Sequence, residues 1–153
     1  MATADMKKLK DLRDKTGVSF SVIKKALEEA DNDTAKAEKL LSEWGAKKAA
    51  DKADRETGQG GIFSYVHHNR KIGTLVEVLT ETDFVSGNEE FRKLGQELAM
   101  QLAFSKVKTV EDFMHETYIR DSGKTMEDMI KDAVLKFGEN IKISRILRWD
   151  LGE

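Results

Sequence analysis

Three apolar stripes at helical spacing open the chain. Met6, Leu9 and Leu12 recur every three residues; Ile23, Ala26, Leu27 and Ala30 follow, then Ala37, Leu40, Leu41 and Trp44. The punctuation between them agrees. Thr16-Gly17 closes the first stripe, with glycine at the left-handed cap position. Ser19 is placed to cap the second, and "DND" at 31–33 makes a tight turn in which Asp33 caps the third. Stripes this short bury each other only as a small bundle, so residues 1–45 read as a three-helix module near the lower size limit for folding alone. Residues 46–61, "AKKAADKADRETGQGG", read as a linker, helical at first and then broken by glycines.

The pattern changes period at residue 62. "IFSYVHHN" and "IGTLVEVLT" read as two strands around a hairpin turn at "NRK". Asn88 or Gly87 opens a helix with the stripe Phe91, Leu94, Leu98 and Leu102. Two capping boxes follow, Thr109 with Asp112 and Thr125 with Asp128. The latter precedes a helix with Met129, Ile130, Ala133 and Phe137 on one face, ended by Gly138. In the tail, Ile141, Ile143, Leu147, Trp149 and Leu151 alternate along one face, interrupted only by Arg145, which predicts a half-buried strand. The fold class expected is α+β: the helical module, the linker, and over residues 62–153 a small antiparallel sheet of about three strands packed with helices.

Composition narrows the function classes. The 153 residues carry a formal net charge of −2, which makes no electrostatic case for nucleic acid or an anionic membrane as partner. The chain has no cysteine, which excludes disulfides, thiolate metal sites and a cysteine nucleophile. No run of about 18 apolar residues exists, and "MATADMKKLKDL" lacks the apolar region of a secretory signal, so a cytoplasmic protein is expected.

Candidate chemistry is sparse. His67 and His68 are adjacent on an expected strand and would point to opposite faces, which is a poor arrangement for one metal ion. His115-Glu116 begins a zinc-protease pattern, but the position that needs a further histidine is Ile119. "GQGGIF" precedes a strand instead of following one and lacks the Lys-Ser/Thr pair of a phosphate loop. No catalytic constellation stands out, no metal or cofactor is called for, and a binding or regulatory protein is the default. One stretch resists a bland reading. In "ETDFVSGNEEF" (81–91) the apolar pair Phe84-Val85 sits among acids and turn residues. Residue types alone leave Phe84 open between capping the core and meeting a partner.

Three blocks together resemble the elongation factor Ts family of bacteria: "LRDKTGVSFSVIKKALEEADNDTAKAEKLL", "RKIGTLVEVLTETDFV" and "GENIKISRILRWDLGE". The N-terminal block resembles the family's helical module, which is similar to ubiquitin-associated (UBA) domains. The middle block resembles the strand leading into its Thr-Asp-Phe-Val motif, and the last resembles its closing strand. The chain departs from the pattern in places. Where the family usually reads Thr-Gly-Ala-Gly-Met-Met, this chain has Thr16-Gly17-Val18-Ser19-Phe20-Ser21, and Thr80 stands where a cysteine is usual. Long members carry two related core subdomains and an inserted coiled coil, whereas the residues after the linker suffice for one subdomain.

The resemblance implies a guanine-nucleotide exchange factor that binds elongation factor Tu with GDP, promotes GDP release by disturbing the Mg²⁺ and phosphate site, and stays bound until GTP arrives. It implies no chemical catalysis. Thr82, Asp83, Phe84 and Val85 would act near the partner's Mg²⁺. Leu12, Arg13, Thr16, Gly17, Phe20, Lys24 and Lys25 would form the helical module's contact. Short members are expected to pair as two-fold dimers through their sheets. The alternative is a UBA-like interaction module with an accessory α+β domain and no exchange activity.

Overall fold

The computed structural model describes residues 3–153. It divides into two compact units. One consists of residues 3–53 together with Lys131–Glu139; the other of Asp54–Ile130 and Asn140–Glu153.

The first unit holds α1 (Met6–Thr16), α2 (Phe20–Glu29) and α3 (Thr34–Lys52). Each end has a local cause. The Asp5 carboxylate accepts from the backbone N–H groups of Lys7 and Lys8 at the start of α1. Gly17 closes it at φ 70°, its N–H donating to the Arg13 carbonyl. Ser19 takes the N-cap position of α2, but its hydroxyl makes no capping bond. Asp31 and Asn32 both adopt positive φ, 50° and 61°, which short polar side chains tolerate best. Asn32 also ties this turn to the start of α1, accepting from the Asp5 N–H at 2.7 Å and donating to the Thr3 carbonyl at 2.8 Å. Asp33 then caps α3 through the Lys36 N–H.

Leu9, Leu12, Ile23, Ala26, Leu27, Ala37 and Leu41 form the core of this unit, with Leu40 and Trp44 half-buried at its edge. Met6, expected on the buried face of α1, is 63% exposed, and Ala4 is buried instead. The three helices do not close the core by themselves. Leu135, from the distant segment 131–139, packs against it, and a Cβ at Gly45 would come within 3.0 Å of the Lys131 carbonyl oxygen.

The second unit is built on β1 (Gln59–Val66), β2 (Ile72–Thr80) and β5 (Lys142–Asp150), an antiparallel sheet in the order β1-β2-β5. The first strand starts and ends three residues earlier than its hydrophobic pattern suggests. Gln59 pairs with Thr80 and Val66 with Gly73, so the turn begins at His67 and is closed by Arg70 at φ 60°. Gly60 belongs to the strand, and a Cβ there would collide with the Val78 carbonyl. Between β2 and β5 come α4 (Asp83–Ser86), α5 (Glu89–Ala103), α6 (Val110–Met114), the ribbon β3 (Thr117–Tyr118) with β4 (Asp121–Thr125), and α7 (Met126–Phe137).

Helix α5 packs on β1 and β2. Phe63, Val76, Val78 and Ile143 on the sheet and Phe91, Leu98 and Leu102 on the helix are buried, and the rings of Phe63 and Phe91 meet edge to face at 5.7 Å. Arg148 secures the helix end, its guanidinium donating to the carbonyls of Leu102 and Ala103, both at 3.1 Å. Of the two expected capping boxes, the second closes in both directions and the first in one. Thr109 accepts from the Asp112 N–H, and Thr125 and Asp128 bond each other's N–H groups reciprocally. The buried positions of α7 are Met126, Ile130, Ala133 and Val134, while Met129 and Phe137 are only half-buried.

The tail differs most from its pattern. Glu77 pairs with Arg145, but the next residue, Val78, pairs with Ile143, so Ser144 is an extra residue in β5. This bulge reverses the faces of the strand. Ile141 and Ile143 are buried, whereas Leu147 is 41% and Trp149 71% exposed. The single apolar face expected from alternation is therefore two half-faces. Ile62 and Val66 on β1 and Leu75 on β2 share the outer side with Leu147 and Trp149. Glu77 lies among them, and the Ser144 hydroxyl and the Arg145 guanidinium hold its carboxyl below the usual range.

Candidate functional site

The stretch after β2 is a tight, fully determined turn. Thr80, at the strand end, is buried, and its hydroxyl donates to the Thr82 carbonyl at 2.9 Å. Thr82 is extended at φ −128°, ψ 157°, and its side chain accepts from the Val85 N–H, capping the single turn α4. At the other end, the Gly87 N–H donates to the Asp83 carbonyl at 2.9 Å and the Asn88 N–H to the Val85 carbonyl at 3.0 Å. Asn88 at once caps α5 through the Glu90 N–H at 2.7 Å. The turn is thus held between the centre of the sheet and the start of the longest helix of its unit.

Its side chains divide in direction. Val85 is buried at 6% exposure, and α4 packs against β1, β2 and α5. Phe84 is 85% exposed, the most exposed of the large hydrophobic side chains among the described residues. The sequence leaves open whether Phe84 caps the core; Val85 does so, and the phenyl ring stands in water. Asp83 is also exposed, one position before it. An exposed phenyl gains nothing from folding. Burying it in a partner would contribute roughly 1.5–3 kcal/mol. A ring on a capped turn also has little backbone freedom left to lose.

The residues expected on the helical module also divide. Leu12 is in the core, and the Thr16 hydroxyl donates to the Leu12 carbonyl at 2.7 Å while accepting from the Val18 N–H. Both shape the end of α1 and the turn at Gly17, and the Lys136 side chain lies beside that glycine. Arg13, Lys24 and Lys25 are exposed, and Phe20, at the start of α2, is 42% exposed. Lys24 approaches Glu28 one turn on, and the Lys25 ammonium lies 5.3 Å from the centre of the Trp44 ring. These seven positions lie in the first unit, and Thr82 to Val85 in the other.

Among the described residues, no group of three or more His, Asp or Glu side chains could hold a metal ion. His67 and His68 do not diverge as strand neighbours would. They sit in the hairpin turn, with ring centres 4.2 Å apart, and the Tyr65 hydroxyl lies 2.9 Å from His67 Nδ1. No helix among these residues is long and apolar enough to cross a membrane. Two features carry no simple sequence signal: the outward apolar patch of the sheet, hidden by the bulge, and the contacts of Glu81, whose partners are 26 and 59 residues away in the chain.

Comparison with known proteins adds a family. The model of the family described as elongation factor TS matches residues 81–152. The elongation factor Ts of Thermosipho melanesiensis is 40% identical over 192 aligned positions, which take in 96% of this chain and 98% of that protein. That alignment is longer than the chain, so the relative carries residues that this chain lacks. The elongation factor Ts of Clostridium botulinum (strain ATCC 19397 / Type A) is 43% identical over 142 positions, covering 93% of this chain and 46% of the relative. The chain thus spans about half the length of that relative.

Proposed function

The chain belongs to the elongation factor Ts family, and from that premise we propose that it is a guanine-nucleotide exchange factor for elongation factor Tu that works through the exposed Phe84. The observation that carries this reading is the phenyl ring, 85% exposed on a turn fixed at both ends. A GTP-binding protein holds its nucleotide mainly by the phosphates, through backbone N–H groups and a Mg²⁺ ion. A factor need not touch the base. It has to favour a partner conformation in which loop and metal no longer fit the phosphates. Phe84 would enter the partner and displace side chains that support the metal, with Asp83 making polar contacts beside it. Thr82 and Val85 hold the turn.

The coupling is reciprocal, so a factor that weakens nucleotide binding is itself weakened by nucleotide. Abundant GTP then displaces it. No bond is made or broken by the factor. Arg13, Phe20, Lys24 and Lys25 offer a further contact surface, held in shape by Leu12, Thr16 and Gly17. This surface contributes affinity more than it disturbs the metal site. The outer side of the sheet, with Ile62, Val66, Leu75, Leu147 and Trp149 exposed, supports pairing of two copies.

GDP release from elongation factor Tu, followed against factor concentration, tests the assignment. Phe84→Ala is expected to lower the maximal release rate by about 100-fold, on the scale of losing a group that acts in the transition state. Phe20→Ala is expected to raise the half-saturating concentration about ten-fold, as loss of a contact made throughout binding does, and to leave the maximum in place. A Phe84→Ala protein that releases GDP at the parent rate removes the proposed role.

A further inference from the structure

Glu81 stands between the central strand and the Phe84 turn, and its carboxylate reaches two distant parts of the chain. One oxygen, Oε2, accepts from the Asn140 backbone N–H at 3.2 Å, and Oε1 lies 3.5 Å from the Arg55 guanidinium. Asn140 closes the triangle, its side-chain amide donating to the Arg55 carbonyl at 2.8 Å. Asn140 is buried, and the Glu81 side chain is only 17% exposed. These partners are not arbitrary points on the chain. Arg55 immediately follows the first residue of the second unit, and Asn140 is the residue at which the chain re-enters that unit after Lys131–Glu139. The entries to β1 and β5 are thus both held at the residue that begins the turn.

The two bonds differ in weight. The Arg55 side chain is 56% exposed, and an ion pair of that kind is screened and weak. The bond from the Asn140 N–H is charge-assisted and largely shielded from water, which makes it the stronger attachment. The turn has its own cap and its C-terminal tie to α5, and on its N-terminal side Thr80 and Glu81 both hold it by their side chains. Of these two, Thr80 bonds within the turn, and Glu81 reaches the lead-in to another strand.

We propose that Glu81 is a positioning residue for Phe84: its carboxylate, by accepting from Asn140, fixes the base of the turn and so the direction in which the ring meets a partner. What Phe84 does on arrival rests on the exchange-factor reading; the attachment of the turn does not.

The absence of cysteine permits a test that needs no partner. A spin label on Phe84→Cys reports motion of the turn by its spectral line shape. Combined with Glu81→Ala, the spectrum is expected to narrow as the turn loosens; combined with Glu81→Gln, which keeps the acceptor for Asn140, it is expected to match the parent. Glu81→Asp, which keeps the charge but withdraws it by one methylene, is expected to narrow the line and serves if the alanine variant does not fold. In unlabelled protein, Glu81→Ala is expected to lower the maximal GDP-release rate roughly ten-fold while the half-saturating concentration moves less than about two-fold, as misplacement of a reacting group does, and Glu81→Gln is expected to restore it. A line shape unchanged in the alanine or aspartate variant, or as narrow in the glutamine variant, overturns the proposal. A parent protein that fails to release GDP overturns the exchange-factor reading instead, and the line shapes still decide the role of Glu81.

Discussion

Phe84 and Val85 are neighbours with opposite work. Both are apolar, and both sit in a polar stretch. A one-turn helix rotates successive side chains by about 100°, and the caps at Thr82 and Asn88 fix which one points inward. Their truncations should therefore separate cleanly. Val85→Ala removes two buried carbons and is expected to cost about 2 kcal/mol, lowering the melting temperature by roughly 4–8 °C. Phe84→Ala is expected to leave it within about 1 °C, since an 85% exposed ring contributes little to folding. Thermal unfolding of the two variants side by side checks this, and equal losses would mean that the ring is packed in solution. This division was only half legible in sequence. The motif marks the turn, but which of two adjacent apolar residues faces water depends on the phase of a four-residue helix, too short to show a period.

At the scale of elements, β2 is the most legible: a run of nine, rich in β-branched residues, ends where the pattern ends. Strand β5 is the least. Arg145, which interrupts the alternation of its apolar residues, is the trace of the bulge. With Ser144 inserted, Arg145 falls on the outer side opposite Glu77, and the residues after it exchange faces. One serine between Ile143 and Arg145 gives no sign of this by itself. Its removal does give a sharp expectation. Deleting Ser144 leaves Ile143 and Arg145 successive opposite Val78 and Glu77, so Arg148 stays inward on the Leu102 and Ala103 carbonyls and Leu147 and Trp149 stay outward. The expected loss is about 1 kcal/mol, for the Ser144–Glu77 hydrogen bond, read as a slightly lower urea midpoint. A loss of about 3 kcal/mol or more would show that the faces of β5 depend on the bulge. The glycines at 60 and 61 mislead in a similar way. Their composition suggests a flexible linker, but they lie in β1, where a Cβ at Gly60 would meet the β2 backbone at Val78 and one at Gly61 would meet the Phe63 ring.

For the whole molecule, the α+β architecture was open to reading from the change of hydrophobic period near residue 62, because a bundle and a sheet need different spacings. The membership of Lys131–Glu139 was not, since a helix stripe does not say which core it serves. The exposed outer side of the sheet belongs to this scale as well. Sedimentation at micromolar concentration is expected to show a species of twice 17.3 kDa, and Trp149→Lys, a charge placed on that side, is expected to return it to monomer. A parent protein that sediments as a monomer and still releases GDP at full rate would show that one copy suffices.

The split helix α7 also bears on the order in which the protein is made. Its later part and the residues just after it, Lys131–Glu139, are translated only after α1, α2 and α3 and after strands β1 to β4. The first three helices therefore leave the ribosome with Leu9, Leu12, Ile23 and Leu41 gathered but the place of Leu135 still empty. Domains commonly fold in the order of synthesis. Here the N-terminal unit has to wait, and the same late helix whose first half serves the other unit closes it. The N-terminal unit is thereby completed only with α7, and the other unit only with β5 after it, so a ribosome halted before residue 131 would carry a nascent chain in which the N-terminal helices are made but their core is still open.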